Sequence, residues 1–415
     1  MTDSAPLRRL IRPLERTNRP DLQVLSVYRE HGVVPKSSRS DNFNKTPEDV
    51  SRYLHVRAGD LVVNKMKAWS GSVAVSQHEG IVSADYLVCG LRPGLDARYL
   101  HHLLRSPRFV TEMRVRSVGI RPNQERLYWD DLAQIQIPTP AVDEQRRIAD
   151  FLDDRVARID QIITARREQE KVLREQFESM RLDAVLGQQR TRPTDLPWAP
   201  AVPESWPVRR LSQLARMGTG HTPSRSEPSY WVDCDVSWLT TTDVHKFRRD
   251  EIDVIESTEI SISDLGLANS AAVLHPSNTV ALSRTASAGF SVIMGPPMAT
   301  SQDFVTWTCG PDLMPEYLLH TLRVMRPYLL GFLSIGSTHK TIYFPDLMDL
   351  RIPLPPLPYQ SDAIARVGEA AASRNTALTA IRQQVVLLTE YKQSLITAAV
   401  SGELDVSTAG SGMPG

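Results

Sequence analysis

The chain has 415 residues, of which 41 % are hydrophobic and 23 % charged, and its formal net charge is zero. That is an ordinary globular composition, sized for two to four domains. No apolar run approaches the roughly 18 residues that a membrane span needs, and three scattered cysteines (Cys89, Cys234, Cys309) without a C-x-x-C pair suggest neither a disulfide framework nor a zinc site.

The start, MTDSAPLRRLIRPLERTNRP, has basic residues but no apolar core behind them, so no secretory signal is expected and a reducing cytoplasm is the default. Charge is uneven along the chain: residues 1–141 carry +6, residues 142–199 carry −1, residues 200–355 carry −4 and residues 356–415 carry −1. A nucleic-acid binder usually shows a basic excess somewhere. Charge therefore argues for DNA in the first part and against it in the third.

Taken in order, VRAGDLVVNK (56–65) follows a Gly-Asp turn and reads as a strand. AVSQHEGIVSADYLVCGL reads as a further strand pair, and DARYLHHLLRSPRFVTEM (96–113) has helical spacing. The segment Ile137-Pro-Thr-Pro140 must be extended, because proline fixes its own φ and restricts the residue before it. A long helix is expected next, with Asp143 as its N-cap, Glu144 at the positive end of the dipole and Gly187 at C′. Its three/four steps land on Leu152, Val156, Ile159, Ile163, Arg166, Glu170, Leu173, Phe177, Met180 and Ala184. That is a coiled-coil stripe with polar layers. From Ile148 to Leu186 the rod would be roughly 58 Å long at ~1.5 Å per residue.

The second half repeats this order. HPSNTVALSR (275–284) and SVIMGPPMATSQDFVTWTC read as strands, and MPEYLLHTLRVMRPYLLGF (314–332) as a helix with Pro315 near N1. Ile352-Pro353 and Gln360 match Ile137-Pro138 and Gln145 at an offset of 215, whereas Tyr317-Leu-Leu-His matches Tyr99-Leu-His-His at 218. The second long helix is expected to begin at Ser361-Asp362 and end before Gly402. Its stripe is Ile364, Val367, Ala371, Arg374, Leu378, Ile381, Val385, Leu388, Lys392, Leu395 and Ala399. So many matches in one order make the chain two copies of one unit. Each helix is marginal alone and needs a partner stripe. The other copy supplies it if the two run antiparallel, although packing into one compact core is the alternative.

The expected class is α+β: two mixed, mostly antiparallel domains separated by two long antiparallel coiled-coil helices, as a pseudo-twofold tandem repeat. The boundaries are 1–141 and 191–355 for the mixed domains, 142–190 and 356–404 for the helices, and 405–415 for a Gly/Ser-rich tail expected to be disordered.

No catalytic signature appears. There is no Gly-Lys-Ser/Thr phosphate loop, no Asn/Asp-Pro-Pro-aromatic motif, no glycine-rich S-adenosylmethionine loop, no His/Cys metal spacing and no Gly-x-Ser-x-Gly elbow.

The duplicated order of a mixed domain, Ile-Pro-x-Pro, Gln and a long helix resembles the specificity subunit of a Type I restriction–modification system. LSQLARMGTGHTPSRSEPSYW (211–231) is similar to the family's opening of a target recognition domain, and VSWLTTTDV, ISDLGLANSA, TSQDF and GSTHKTI are similar to its later blocks. In the first half, LSVYREHGVVPKS, GDLVVNKMKAWSGSV, GIVSADYLV and SVGIRPNQERL look like a different recognition-domain subtype. The resemblance covers about residues 20–404. It implies a non-catalytic subunit that reads a split, asymmetric target in double-stranded DNA. It also implies two modification subunits and, through them, restriction subunits. S-adenosylmethionine, ATP and Mg2+ would then belong to those partners, with no cofactor or metal in this chain and no membrane. A coiled-coil scaffold with two ligand-binding heads not directed at DNA is the rival.

Phosphate contacts position a protein on DNA and base-edge contacts specify. In the first domain Lys65, Lys67 and Trp69 follow a strand, where the lysines could share a face or merely guard an edge. Arg121, Asn123 and Gln124 lie in a polar loop, with the side chains that read guanine and adenine. Lys36 and Arg39 are further phosphate candidates. In the second domain the candidates are His221, Thr222, Thr240, Thr241, Thr242, Arg284, Ser301, Gln302, Ser337, Thr338 and Lys340. The threonines could equally reflect β-propensity and a cap, and Trp231 and Trp238 read as core. For partner docking the candidates are Gln145, Gln360 and the polar layers Arg166, Glu170, Arg374 and Lys392.

Overall fold

The computed structural model describes residues 4–39, 45–119, 125–335 and 340–407. They form two compact units, Met1–Arg166 with Arg382–Gly415, and Arg167–Ile381.

The first unit is built on a four-stranded antiparallel sheet. Its strands are β1 (Ile11–Pro13), β2 (Leu61–Asn64), β3 (Val73–Val75) and β4 (Tyr86–Leu91), in the order β1-β4-β2-β3. Side chains alternate across a strand, so the run Leu61-Val62-Val63 must be covered on both faces. Leu61 and Val63 enter the main core, with helices α1 (Ala97–Arg105) and α2 (Pro107–Arg116). Val62 points the other way, into a second core with Leu25, Val56 and Val88. All three residues of the run are fully buried.

The second unit repeats the sheet with one strand more. Its strands are β5 (Ala215–Thr219), β6 (Val254–Ile255), β7 (Thr279–Ser283), β8 (Ser291–Met294) and β9 (Phe304–Cys309), in the order β5-β9-β7-β8-β6. Only β6, at the edge, is parallel to its neighbour. Here too the central strand alternates: Val280 and Leu282 face one core, and Ala281 the other.

Two long helices run through the units, α3 (Val142–Leu186) and α5 (Leu357–Ser401), with α4 (Pro315–Tyr328) between them in sequence. In the first unit the start of α3 (Ile148, Ala149, Leu152) shares a core with the end of α5 (Ile396, Ala399, Val400). In the second, the end of α3 (Phe177, Ala184) shares one with the start of α5 (Ala363, Val367). The pairing is antiparallel. Every position of both sequence stripes is buried or half-buried, while the intervening charged positions are mostly exposed.

Several local expectations are corrected. The helix expected over 96–113 is two helices, because Pro107 forces Ser106 into an extended conformation (φ −67°, ψ 151°). Helix α5 begins at Leu357 rather than after Ser361. Pro358 then sits in the first turn, where no intrahelical N–H is required. Asp143 likewise lies inside the first turn of α3, not before it, where its charge still favours the dipole. Gly187 and Gly402 do close their helices, with φ of +78° and +79°. Beyond the helix, Leu404 and Val406 pack against the core of the first unit.

Candidate nucleic-acid interface

The two sheets fix a correspondence that counting residues misses. Leu61 pairs with Cys89 and Val75, and Val280 pairs with Trp307 and Ile293. The outer partners differ by 218 in number, the central residues by 219. Strand β7 is thus shifted by one residue, and Arg284, not Ser283, is the equivalent of Lys65. Both residues sit one place beyond their strand and make the same backbone bonds. Lys65 N–H donates to the Asp85 carbonyl at 2.9 Å, and its own carbonyl accepts from Leu127 N–H at 2.9 Å. Arg284 N–H donates to the Asp303 carbonyl at 2.8 Å, and its carbonyl accepts from Ile342 N–H at 2.8 Å. In each half the next closing segment is itself pinned, by a Val118–Arg126 bridge in the first and by the Ser334–Ile342 and Ile335–Thr341 pairs in the second.

Around Lys65 the charge is mostly positive. Arg126 pairs with Asp85 and directs its Nε to Met66 Sδ at 3.1 Å. Burial, and then the charge of Arg126, push the Lys65 ammonium below its usual range against the opposing pull of Asp85. Lys67 and Trp69 lie in a tight turn rather than on the strand, since β2 stops at Asn64. Trp69 Nε1 donates to the Met66 carbonyl at 3.0 Å, and the Lys67 carbonyl accepts from Ser70 and Ser72 N–H at 3.1 Å each. Strand alternation therefore does not put Lys65 and Lys67 on one face. Lys36 donates to Thr46 Oγ1 at 2.8 Å, and the Arg39 guanidinium lies 5.0 Å from the Tyr28 ring centre. Arg121, Asn123 and Gln124 lie outside the described residues.

In the second unit three candidates far apart in sequence meet at Gln302. Thr222 Oγ1 donates to Gln302 Oε1 at 2.7 Å, and Arg284 Nε donates to the Gln302 carbonyl at 3.0 Å. The Arg284 guanidinium also lies 4.5 Å from the Phe344 ring centre. His221 N–H donates to the Thr300 carbonyl at 3.0 Å. Lys340 Nζ donates to the Leu330 carbonyl at 2.9 Å. Ser337 and Thr338 lie outside the described residues. The glycines of Gly218-Thr-Gly220 serve packing: a Cβ on Gly220 would stand 1.7 Å from the Thr300 carbonyl oxygen, and one on Gly218 would stand 2.8 Å from Thr306 Oγ1.

Other candidates turn inward. Ser301 is buried, and its Oγ donates to Asp303 Oδ2 at 3.3 Å. Thr240 is buried in a capping box, its N–H donating to Asp243 Oδ2 at 3.0 Å. Thr241 is half-buried, which leaves Thr242 as the exposed threonine of the three. Trp238 is buried and meets the half-buried Trp231 edge-on at 5.6 Å.

The docking candidates need correction as well. Gln145, Gln360 and Arg374 are buried, so their polar atoms hold their own chain. Arg374 Nη2 donates to the Asp250 carbonyl at 2.8 Å, and its guanidinium stacks 3.8 Å from the Phe177 ring centre. Lys392 is tied to Asp160 at 2.6 Å. Glu170 accepts from Arg174 at 2.9 Å, and Arg174 also reaches Glu251 at 3.1 Å. Arg166 is half-buried.

Sequence reasoning missed a buried ion network in the second unit. Asp250 accepts from Arg326 at 2.8 and 2.9 Å and from Arg181 at 3.2 Å, with Arg323 Nε at 3.4 Å. Burial pulls the Asp250 carboxyl upward, but the guanidiniums of Arg326, Arg323 and Arg181 outweigh it and hold it at about 2. The one available signal was the repeat itself, since His320 and Arg323 fall at the offset of His102 and Arg105. Among the described residues no group of three or more His, Cys, Asp or Glu could hold a metal ion, and no helix is long and apolar enough to cross a membrane.

A mixed sheet domain followed by a long helix, written twice with the same strand order, defines the class of protein. Residues 203–385 match the Type I restriction modification DNA specificity domain. Over 168 residues the chain is 27 % identical to the Type I restriction enzyme MjaIX specificity subunit of Methanocaldococcus jannaschii, a match spanning 40 % of this chain and 38 % of that relative. The fold is shared with a chain from a structure of complex assembly and conformational transition of the type I R-M system (TM-score 0.73, 18 % identity, covering 97 % of this chain and 98 % of that one). It is also shared with the HsdS subunit from Thermoanaerobacter tengcongensis (TM-score 0.50, 18 % identity, covering 97 % of each chain). Residues 203–385 thus match a Type I restriction modification DNA specificity domain, and the chain as a whole shares the fold of these two solved structures.

Proposed function

We propose that this chain reads a bipartite, asymmetric target in double-stranded DNA, one part with each mixed domain. The helices α3 and α5 act as the spacer between the two readings and as the platform for two modification subunits, which in turn bring restriction subunits. Chemistry resides in those partners, with S-adenosylmethionine, ATP and Mg2+, and the site of action is the cytoplasm. The supporting observation is that all four strands of the first sheet have counterparts in the second while the residues around Lys65 and Arg284 differ. Equivalent frames with unlike contact residues suit an asymmetric target, as a symmetric dimer suits a palindrome. The +6 of residues 1–141 favours phosphate, and the −4 of residues 200–355 leaves more of that attraction to the partner subunits.

The test is co-expression with the neighbouring candidate modification subunits, followed by methylation mapping of genomic DNA. The expected result is one split, asymmetric motif that disappears when this chain is omitted. Exchange of residues 1–141 for those of a related chain should change one part of the motif only. If no complex forms and the chain shows no salt-dependent DNA binding, the reading fails and the scaffold alternative gains.

A further inference from the structure

Lys65 and Arg284 hold the same station in the two halves, at the exit of the central strand. Each backbone is fixed on both sides, by Asp85 and Leu127 in one half and by Asp303 and Ile342 in the other. A side chain on such a frame is aimed by the sheet and not by a free loop. Around each, positive charge exceeds the negative charge that meets it. In the first half Arg126 pairs with Asp85, whose side chain is 57 % exposed and whose charge also acts on Lys65, and Lys67 lies exposed two residues on. In the second half Asp303 is occupied by the hydroxyls of Thr285 and Ser301. The Arg284 Nε meets only a carbonyl, that of Gln302, and among the described residues no carboxylate is paired with this guanidinium.

We infer that Lys65 with Arg126, and Arg284 on its own, are the equivalent phosphate-gripping cations of the two half-interfaces. The inference rests on the DNA reading above and goes beyond it by separating grip from base reading. Cations fixed at a strand exit suit the fixed spacing of a duplex backbone, whereas sequence is read at base edges. The depressed ammonium of Lys65, lowered first by burial and then by Arg126, agrees, because a neighbouring polyanion offsets both. The second half grips with a planar fork and the first with a point charge beside one.

The experiment uses the full chain with its co-purified modification subunits on a short duplex carrying the mapped target. Binding is measured against salt, and phosphate contacts are mapped by ethylation interference. Lys65→Gln, Arg126→Gln and Arg284→Gln should each lower the slope of log K against log salt by about 1. Each should also erase interference beside one half of the target only and leave the methylated sequence unchanged. Lys65→Arg and Arg284→Lys should restore slope and interference, which separates lost charge from lost fold. A changed base preference, or an unchanged slope in folded Gln variants, would overturn the assignment. If the wild-type complex itself shows no salt-dependent binding, the DNA reading fails; if it binds and the variants bind alike, only this assignment fails.

Discussion

Gln145 and Gln360, 215 residues apart, make the same three hydrogen bonds in the two halves of the chain. Gln145 Oε1 accepts from Asp96 N–H at 2.8 Å, and its Nε2 donates to the carbonyls of Pro140 at 2.8 Å and Gly94 at 3.1 Å. Gln360 Oε1 accepts from Met314 N–H at 2.9 Å, and its Nε2 donates to the carbonyls of Pro355 and Asp312 at 2.9 Å each. The amide joins the Pro-x-Pro segment, the first turn of a long helix and the residues that lead into α1 or α4. The geometry demands both a donor and an acceptor on one short arm, which glutamine has and glutamate lacks.

Replacing either amide leaves buried backbone groups without partners. Gln145→Ala and Gln360→Ala should each cost about 3 kcal/mol in denaturant unfolding. Gln145→Glu should cost at least as much, since a buried carboxylate repels the two carbonyls it would face. A loss below about 0.5 kcal/mol for both alanine variants would mean the clamp is incidental.

Two glycines should respond in opposite directions. Gly220→Ala places a methyl 1.7 Å from the Thr300 carbonyl oxygen, so β5 and the segment that follows it must move. The expected loss is about 3 kcal/mol. Gly368 lies exposed inside α5 with nothing within 4 Å of an added Cβ, so Gly368→Ala should raise stability by about 0.5–1 kcal/mol. Shifts of the same sign in unfolding midpoint would contradict this account of both sites.

Acid should weaken the second unit through Asp250. Its carboxyl titrates at about 2 when folded and near 3.8 when unfolded. A depressed folded value means the contribution is full above pH 3.8 and fades as the pH falls toward 2. Above that window it is worth about 2 kcal/mol. Asp250→Asn should remove this part of the pH dependence and, by stranding Arg181, Arg323 and Arg326, cost about 3–5 kcal/mol at neutral pH. Unfolding measured from pH 2 to pH 6 checks both. An identical pH profile in wild type and variant would refute it.

What the sequence disclosed and what it concealed divide along the range of the interactions. The stripes of α3 and α5 and the Pro-x-Pro segments were legible, because periodicity and proline act within a few residues. The equivalence of Lys65 and Arg284 departs by one residue from the 218 offset of the flanking strands, because it depends on a strand register visible only in the sheet. Ser301 and Thr240 looked like surface residues because they are polar, yet the nearby carboxylates of Asp303 and Asp243 claim them. The Asp250 network was hidden for two reasons. Asp250 sits at φ +53°, a conformation no pattern announced, and its partners come from α3 and α4. Among the docking candidates Arg374 is buried because a polar layer in a heptad stripe points inward along with the stripe, whereas Arg166, Glu170 and Lys392 are half-buried.

The docking surface is therefore better sought among apolar residues that the fold leaves uncovered. Leu387 and Tyr391 lie four residues apart on one face of α5, in the first unit, with 55 % and 54 % exposure, and Val386 beside them is 55 % exposed. Leu378 and Ile381, on the seam of the same helix, are buried, so helix formation alone does not require apolar residues on the outer side. Under the proposed function a modification subunit covers this patch, since apolar side chains grouped on a surface mark interaction sites. Leu387→Asp combined with Tyr391→Ser should leave the unfolding midpoint within about 0.5 kcal/mol of wild type. It should abolish co-purification of the modification subunit and, with it, methylation of the target. Retained co-purification by a folded double variant would place the docking face elsewhere on the helices.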